Sequence, residues 1–414
     1  VTLRSTSLTA TVVLLVAALS ACATTTDPRT ADRLADDGDG SGHGRVDGAA
    51  EVAEPQVALL TIDPEGAVRQ LDLLDESIAE LGSVPAPAHV ATDGRYVFAA
   101  DGDGVSIVDS GRWTWDHVDH FHYYRAEPRT LGRVAGTGVA SVATTNSSTT
   151  GGTGLFFPDS GEAVLVDTEA LSKGELVERF RVELAPHQGL TVPIGAFALV
   201  TQAEGGVPAS VAVYDQDGRP VPGAVSECPH AHGAVTTRVG AVIGCDDGAL
   251  LATLVDGTVH IERIPYPDGT AAPAARSFAG REGRPTVAGL AGDAGIWLLD
   301  TRARSWTLLP APAALVAVTA VDDGAGHVLA LAADGRVLVL EGSTGNVVAS
   351  TEPLVTTAVS TAGGAPTLVA DQHRAYLNAP AERRLYEIDF ADGARVARTF
   401  ETPSAPAFFA ETGR

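Results

Sequence analysis

From residue 56 onward the chain alternates short apolar runs with compact polar turns, and the runs recur. Eight of them end in an acidic residue: Leu60-Thr-Ile-Asp63, Val105-Ser-Ile-Val-Asp109, Ala163-Val-Leu-Val-Asp167, Ala212-Val-Tyr-Asp215, Ala252-Thr-Leu-Val-Asp256, Ile296-Trp-Leu-Leu-Asp300, Val337-Leu-Val-Leu-Glu341 and Leu385-Tyr-Glu-Ile-Asp389. Successive acidic residues stand 41 to 58 positions apart. Second runs such as Tyr96-Val-Phe-Ala-Ala100 lie between them, with turn pairs at Asp93-Gly94, Asp217-Gly218, Asp247-Gly248, Asp334-Gly335 and Asp392-Gly393. Runs this short, bounded by Asp-Gly, predict strands rather than helices. A repeat of this length with several strands per unit predicts a β-propeller, because one small sheet cannot bury both its faces and must stack on its neighbours around an axis. The expected fold is all-β: a single β-propeller of seven or eight blades over residues 55–414. A pair of β-sandwiches is the alternative.

The segment before the repeat reads differently. Arg4 and the apolar stretch Leu8 to Leu19 have the form of a targeting signal, too short for an ordinary membrane span. Leu19-Ser20-Ala21-Cys22 looks like a bacterial lipobox, so Cys22 is expected to be lipidated after removal of residues 1–21, with Val1 read as an alternative start. Two acyl chains would anchor the protein stably to the outer side of the cell membrane. Residues 22–54, with the run Asp36-Asp-Gly-Asp-Gly-Ser-Gly-His-Gly44, read as a flexible acidic tether. The position where a calcium loop needs Glu is Gly48.

Composition narrows the function. A net charge of −24 argues against nucleic acid and suits attraction of cations. Outside the cytoplasm, Cys228 and Cys245 are close enough in sequence to pair as a disulfide; joint zinc ligation is the other reading, although no CxxC knuckle is present. No HExxH, GxSxG, phosphate loop or dinucleotide glycine pattern occurs, and no two carboxylates form an evident acid–base pair, so an enzyme is not expected.

The histidines point to a metal. His117, His120 and His122 fall within six residues, interleaved with Asp116 and Asp119 and flanked by Trp113, Trp115, Tyr123 and Tyr124. On an extended segment His120 and His122 face the same side, as two ligands of one ion must. The cluster sits in the longest interval of the repeat, between Asp109 and Asp167, where an inserted loop would carry binding function. Two more histidine loops follow, Ala185-Pro-His-Gln-Gly189 and Cys228-Pro-His-Ala-His-Gly233. If loops from neighbouring blades converge on one mouth of the channel, the three could meet. His120, His122, His187 and His232 are then the expected ligands, with Asp119 as substitute or orienting group and His117, His230 and His373 in secondary places. Zn2+ suits an all-histidine set with carboxylate support, though Cu2+ would bind at least as tightly.

At these loops the chain resembles the AztD-type zinc metallochaperones. The resemblance rests on Asp116-His-Val-Asp-His-Phe-His-Tyr-Tyr-Arg-Ala-Glu-Pro-Arg129, on Pro186-His-Gln-Gly189, and on Cys228-Pro-His-Ala-His-Gly233 with Gly244-Cys-Asp-Asp-Gly248. It implies an extracytoplasmic propeller that holds zinc and passes it to an AztC-like solute-binding protein of a zinc ABC importer; the chain itself is expected to be a monomer. The family is associated with a histidine-rich flexible N-terminal segment, whereas this tether has only His43. Two other functions are compatible with the residues: a propeller scaffold for a protein partner, with structural histidines, or a metal-dependent hydrolase or lyase.

Overall fold

The computed structural model describes residues 44–116, 120–356 and 365–414. Cys22, His43 and most of the tether lie outside the described residues, as do His117 and Asp119. Among the described residues no helix is long and apolar enough to cross a membrane.

Among the described residues, eight blades form a closed ring. Seven are four-stranded antiparallel sheets. The remaining one, the sixth, has three full strands, Thr286–Leu290, Gly295–Asp300 and Ser305–Pro310, and its innermost strand is reduced to bridges at Ala279 and Gly280. The ring closes through the end of the chain: Phe408–Thr412 is the innermost strand of the first blade and pairs with Ala58–Ile62 in the register Ala58↔Thr412. This joins residues more than 300 positions apart, so the ring is shut by backbone hydrogen bonds as well as by packing.

Apolar side chains fill the spaces between blades. Tyr96, Phe98 and Ile107 of the second blade meet Leu155, Phe157 and Val164 of the third. Leu329, Val337 and Val339 of the seventh meet Leu377, Tyr386 and Ile388 of the eighth. The central strand positions are covered on both faces, which explains why the runs read as nearly continuous apolar stretches rather than as alternating ones.

The acidic residue that ends each run has a local task. It ends the third strand of blades two to eight, and in blades two, three, four, six and eight its carboxylate accepts hydrogen bonds from amides just after it, as Asp109 Oδ1 does from Gly111 and Asp300 Oδ1 from Arg302 and Ala303; Glu341 of the seventh blade accepts from the Thr344 hydroxyl instead. In the first blade the equivalent is Asp72, which accepts from the Leu74 amide; Asp63 ends the second strand instead.

Strand direction assigns each loop to a mouth of the channel. The innermost strands run the same way, so all turns from first to second strand lie at one mouth. All connections between blades lie at the other. The third strand also ends at the first mouth, and there the second blade carries an insertion. Between its strands Gly104–Asp109 and Arg129–Ala135 stands a hairpin, Arg112–Asp116 with Phe121–Arg125. Ala50–Val52 adds a third strand along the hairpin's edge, pairing Ala50↔Arg125, Glu51↔Tyr124 and Val52↔Tyr123. The expected tether boundary at residue 54 therefore shifts. Residues 50–52 belong to folded structure because the inserted hairpin offers them an unpaired edge.

Candidate metal centre

The hairpin is fixed at its base by stacked aromatic and charged groups. Trp113 and Tyr124 stand opposite each other in register and stack at 5.2 Å. The guanidinium of Arg95 lies 3.7 Å from the Trp113 ring and is held by Asp109 through two hydrogen bonds of 2.9 Å. Both ions of this pair are almost fully buried. Arg112 reaches Asp72 at 2.7 Å, tying the hairpin to the first blade. Hydrogen bonds from Arg112 and the Leu74 amide hold the Asp72 carboxyl below the usual range, although burial alone would raise it.

Two positions farther along the same face come the histidines. Trp115 is opposite His122, and the two-residue alternation places His120, His122, Tyr124 and the facing Glu51 on one side of the sheet. The Nε2 atoms of His120 and His122 are 3.0 Å apart. On its other side His122 presents Nδ1 to Glu51 Oε1 at 2.7 Å. A carboxylate can only accept, so His122 donates through Nδ1–H, and in the neutral ring its Nε2 lone pair accepts from the Nε2–H of His120. That is the tautomer that binds a metal through Nε2. A metal ion that displaced the proton between them would find two of the four ligands of a tetrahedral set. Among the described residues no group of three His, Cys, Asp or Glu side chains makes a complete ligand shell. His117 and Asp119, the nearest further donors in the chain, lie outside the described residues.

The other predicted ligands are placed elsewhere, and the expectation that three loops meet is corrected. His187 and His232 lie on connections between blades and so at the opposite mouth. His187 is buried; its Nδ1–H donates to the Ala185 carbonyl at 2.7 Å, and its Nε2 accepts from Thr201 Oγ1 at 2.8 Å. The ring sits against the edge of Phe156. His232 lies between the carbonyls of His230 and Ala275. His230 is paired with Asp246 at 2.6 Å, and Arg276 reaches the same carboxylate at 3.1 Å. Cys228 and Cys245 form a disulfide, with Cα atoms 5.1 Å apart and both side chains fully buried. This excludes joint zinc ligation by the pair in this state. His373 is exposed on a first-to-second-strand turn of the eighth blade, at the hairpin's mouth.

Below the hairpin the channel holds a cavity of about 470 Å³, lined in part by Asp93, Asn146, Arg281, Glu282 and Arg414. Its acids are crowded. Burial pushes Asp93 up to about 7 against the hydrogen bonds of the Tyr96 and Arg95 amides, and the charge of Glu282 adds to the shift. Burial likewise raises Glu411 to about 7, with Arg414 opposing. Glu282, which accepts from Arg414 at 3.1 Å, is also raised by burial. At its outer end the hairpin reaches toward the fifth blade, with Asp116 3.7 Å from Arg238.

Glu51 is the site residue that the sequence did not reveal. It stands in a polar stretch with no periodicity, and its contact with His122 spans 71 positions.

Two solved structures share this fold over most of the chain. The crystal structure of Citrobacter koseri AztD aligns with a TM-score of 0.75 at 22% identity, covering 87% of this chain and 99% of that one. The structure of apo AztD from Citrobacter koseri gives 0.74 at the same identity and coverage. No protein-family model matches the chain, and no curated protein matches it. By its eight-bladed ring and its match along nearly the whole length of those structures, this chain has the fold of AztD.

Proposed function

We propose that the chain is a zinc-binding metallochaperone of the AztD type, holding Zn2+ at the hairpin of its second blade. The observation that carries this reading is the pair of Nε2 atoms 3.0 Å apart, with His122 already held in the ligating tautomer. The shared fold supports it. His120 and His122 bind the ion through neutral imidazoles, and Asp119 and His117 are the donors proposed to complete the shell. A site on an exposed hairpin at a channel mouth suits an ion that must be handed on, since a partner can approach it without the propeller opening.

The recipient is then an AztC-like solute-binding protein of a zinc ABC importer, outside the cytoplasm. Lipidation at Cys22 would keep donor and importer in the same membrane plane and raise their effective concentration. His187 and His232 are assigned structural work at the opposite mouth. The test is zinc titration of the chain from residue 23 onward, purified metal-free, against a chromogenic chelator. One tight zinc per chain is expected, and transfer to the solute-binding protein should outpace release to the chelator. No binding at micromolar zinc, or equal binding by His120→Ala/His122→Ala, would end the reading.

A further inference from the structure

We infer that Glu51 is a positioning residue for the metal centre and that docking of its short edge strand sets the affinity of the site. The inference rests on the zinc-binding reading above and deepens it. Three observations carry it.

The first is the contact itself: Glu51 Oε1 lies 2.7 Å from His122 Nδ1, on the side of the ring away from His120. Metal-bound imidazoles gain basicity and a fixed orientation when their second nitrogen donates to a carboxylate. Without Glu51, His122 can take either tautomer, and the one with Nε2–H must be abandoned before a metal binds.

The second is that the carboxylate arrives on a strand with few attachments. Ala50–Val52 pairs along only one side, over three residues, with Phe121–Arg125. Glu51 is therefore aligned with His122 only while those ladder bonds hold. A strand of three residues on an open edge is at the weak end of local stability.

The third is the device that seats it. The Gly44 carbonyl accepts from Trp113 Nε1 at 3.0 Å. At Gly44, with φ of +69°, a Cβ would stand 2.5 Å from the Trp115 ring. Only glycine lets the backbone lie flat on the tryptophan that faces His122. The segment from Gly44 to Val52 thus clamps the hairpin at both ends of its histidine face, and Gly44 and Glu51 act together.

The experiment compares wild type, Glu51→Ala, Glu51→Gln and Gly44→Val. Glu51→Ala should weaken zinc binding about 10- to 100-fold. Glu51→Gln, which can still accept from Nδ1–H but lacks the charge, should fall between it and wild type. Gly44→Val should weaken binding although Glu51 remains. The second readout is the tautomer of His122 in the metal-free protein, from long-range ¹H–¹⁵N spectra. Wild type should show Nδ1–H, and Glu51→Ala a mixture or Nε2–H. Wild-type zinc affinity and an unchanged tautomer in Glu51→Ala would overturn the inference. Should the wild type bind no zinc, the functional reading fails, while the tautomer spectra still decide whether Glu51 positions His122.

Discussion

The chain contains two His-x-His motifs, and they have opposite fates. His120-Phe-His122 leads into a strand, so its imidazoles share one face and their Nε2 atoms meet at 3.0 Å. His230-Ala-His232 enters its strand through a left-handed residue, with φ of +50° at His230. That turn breaks the alternation, sending His230 out to Asp246 and His232 against the Ala275 carbonyl. The disulfide from Cys228 to Cys245 holds the loop in that form. The spacing is the same and the backbone differs. A His-x-His motif brings its two rings together only where the chain stays extended through both residues.

Removing each histidine pair separately distinguishes their roles. His120→Ala/His122→Ala should lower zinc affinity at least about 100-fold, because two of the ligands disappear. His230→Ala/His232→Ala should leave affinity within about twofold of wild type, since no ligand is lost. Competition titration with a zinc-sensitive dye reads both. Equal losses would mean that the two mouths communicate or that the assignment is reversed.

Stability should show the converse. Cys228→Ser/Cys245→Ser should cost about 3 kcal/mol in urea unfolding, the expected value for a loop of this length. Zinc affinity should not change. His187→Ala should cost about 2 kcal/mol, because it removes a buried ring and takes the donor from the Ala185 carbonyl and the Nε2 acceptor from the Thr201 hydroxyl. It too should spare zinc.

The acids below the hairpin supply a smaller effect that depends on pH. Asp93 and Glu411 titrate near 7 in the folded protein, against about 4 when unfolded. Between those values the native state keeps protons that the unfolded chain has lost. The stability these groups contribute is therefore full at and below about pH 4, falls as pH rises toward 7, and levels off above it. Asp93→Asn should remove part of that slope and gain on the order of 2 kcal/mol at pH 8. Chemical denaturation at four or five pH values checks this, and a slope unchanged by the substitution would show that Asp93 is not among the groups responsible.

Much of the fold was legible because one residue repeats for one reason. In most blades the carboxylate that ends the third strand caps the turn after it, so apolar runs ending in Asp or Glu mark blades. The marker was misplaced only in the first blade, where Asp63 ends the second strand and Asp72 does the capping. It said nothing of the sixth blade's innermost strand, which is only two bridges at Ala279 and Gly280. In the candidate site, the closeness of His120 and His122 was legible from local spacing. The separation of the histidine loops onto two mouths was not, because it depends on strand direction, which an apolar pattern does not carry. Glu51 was hidden for a similar reason. Its partner is far away in sequence, and its strand exists only because the hairpin offers an edge.

The most direct test is an anomalous difference map from crystals of the zinc-loaded protein, measured at the zinc edge. A peak bonded to the Nε2 atoms of His120 and His122, with Glu51 still on Nδ1 of His122, is expected. A peak at the other mouth, beside His187 or between His230 and His232, with none at the hairpin, would contradict that placement.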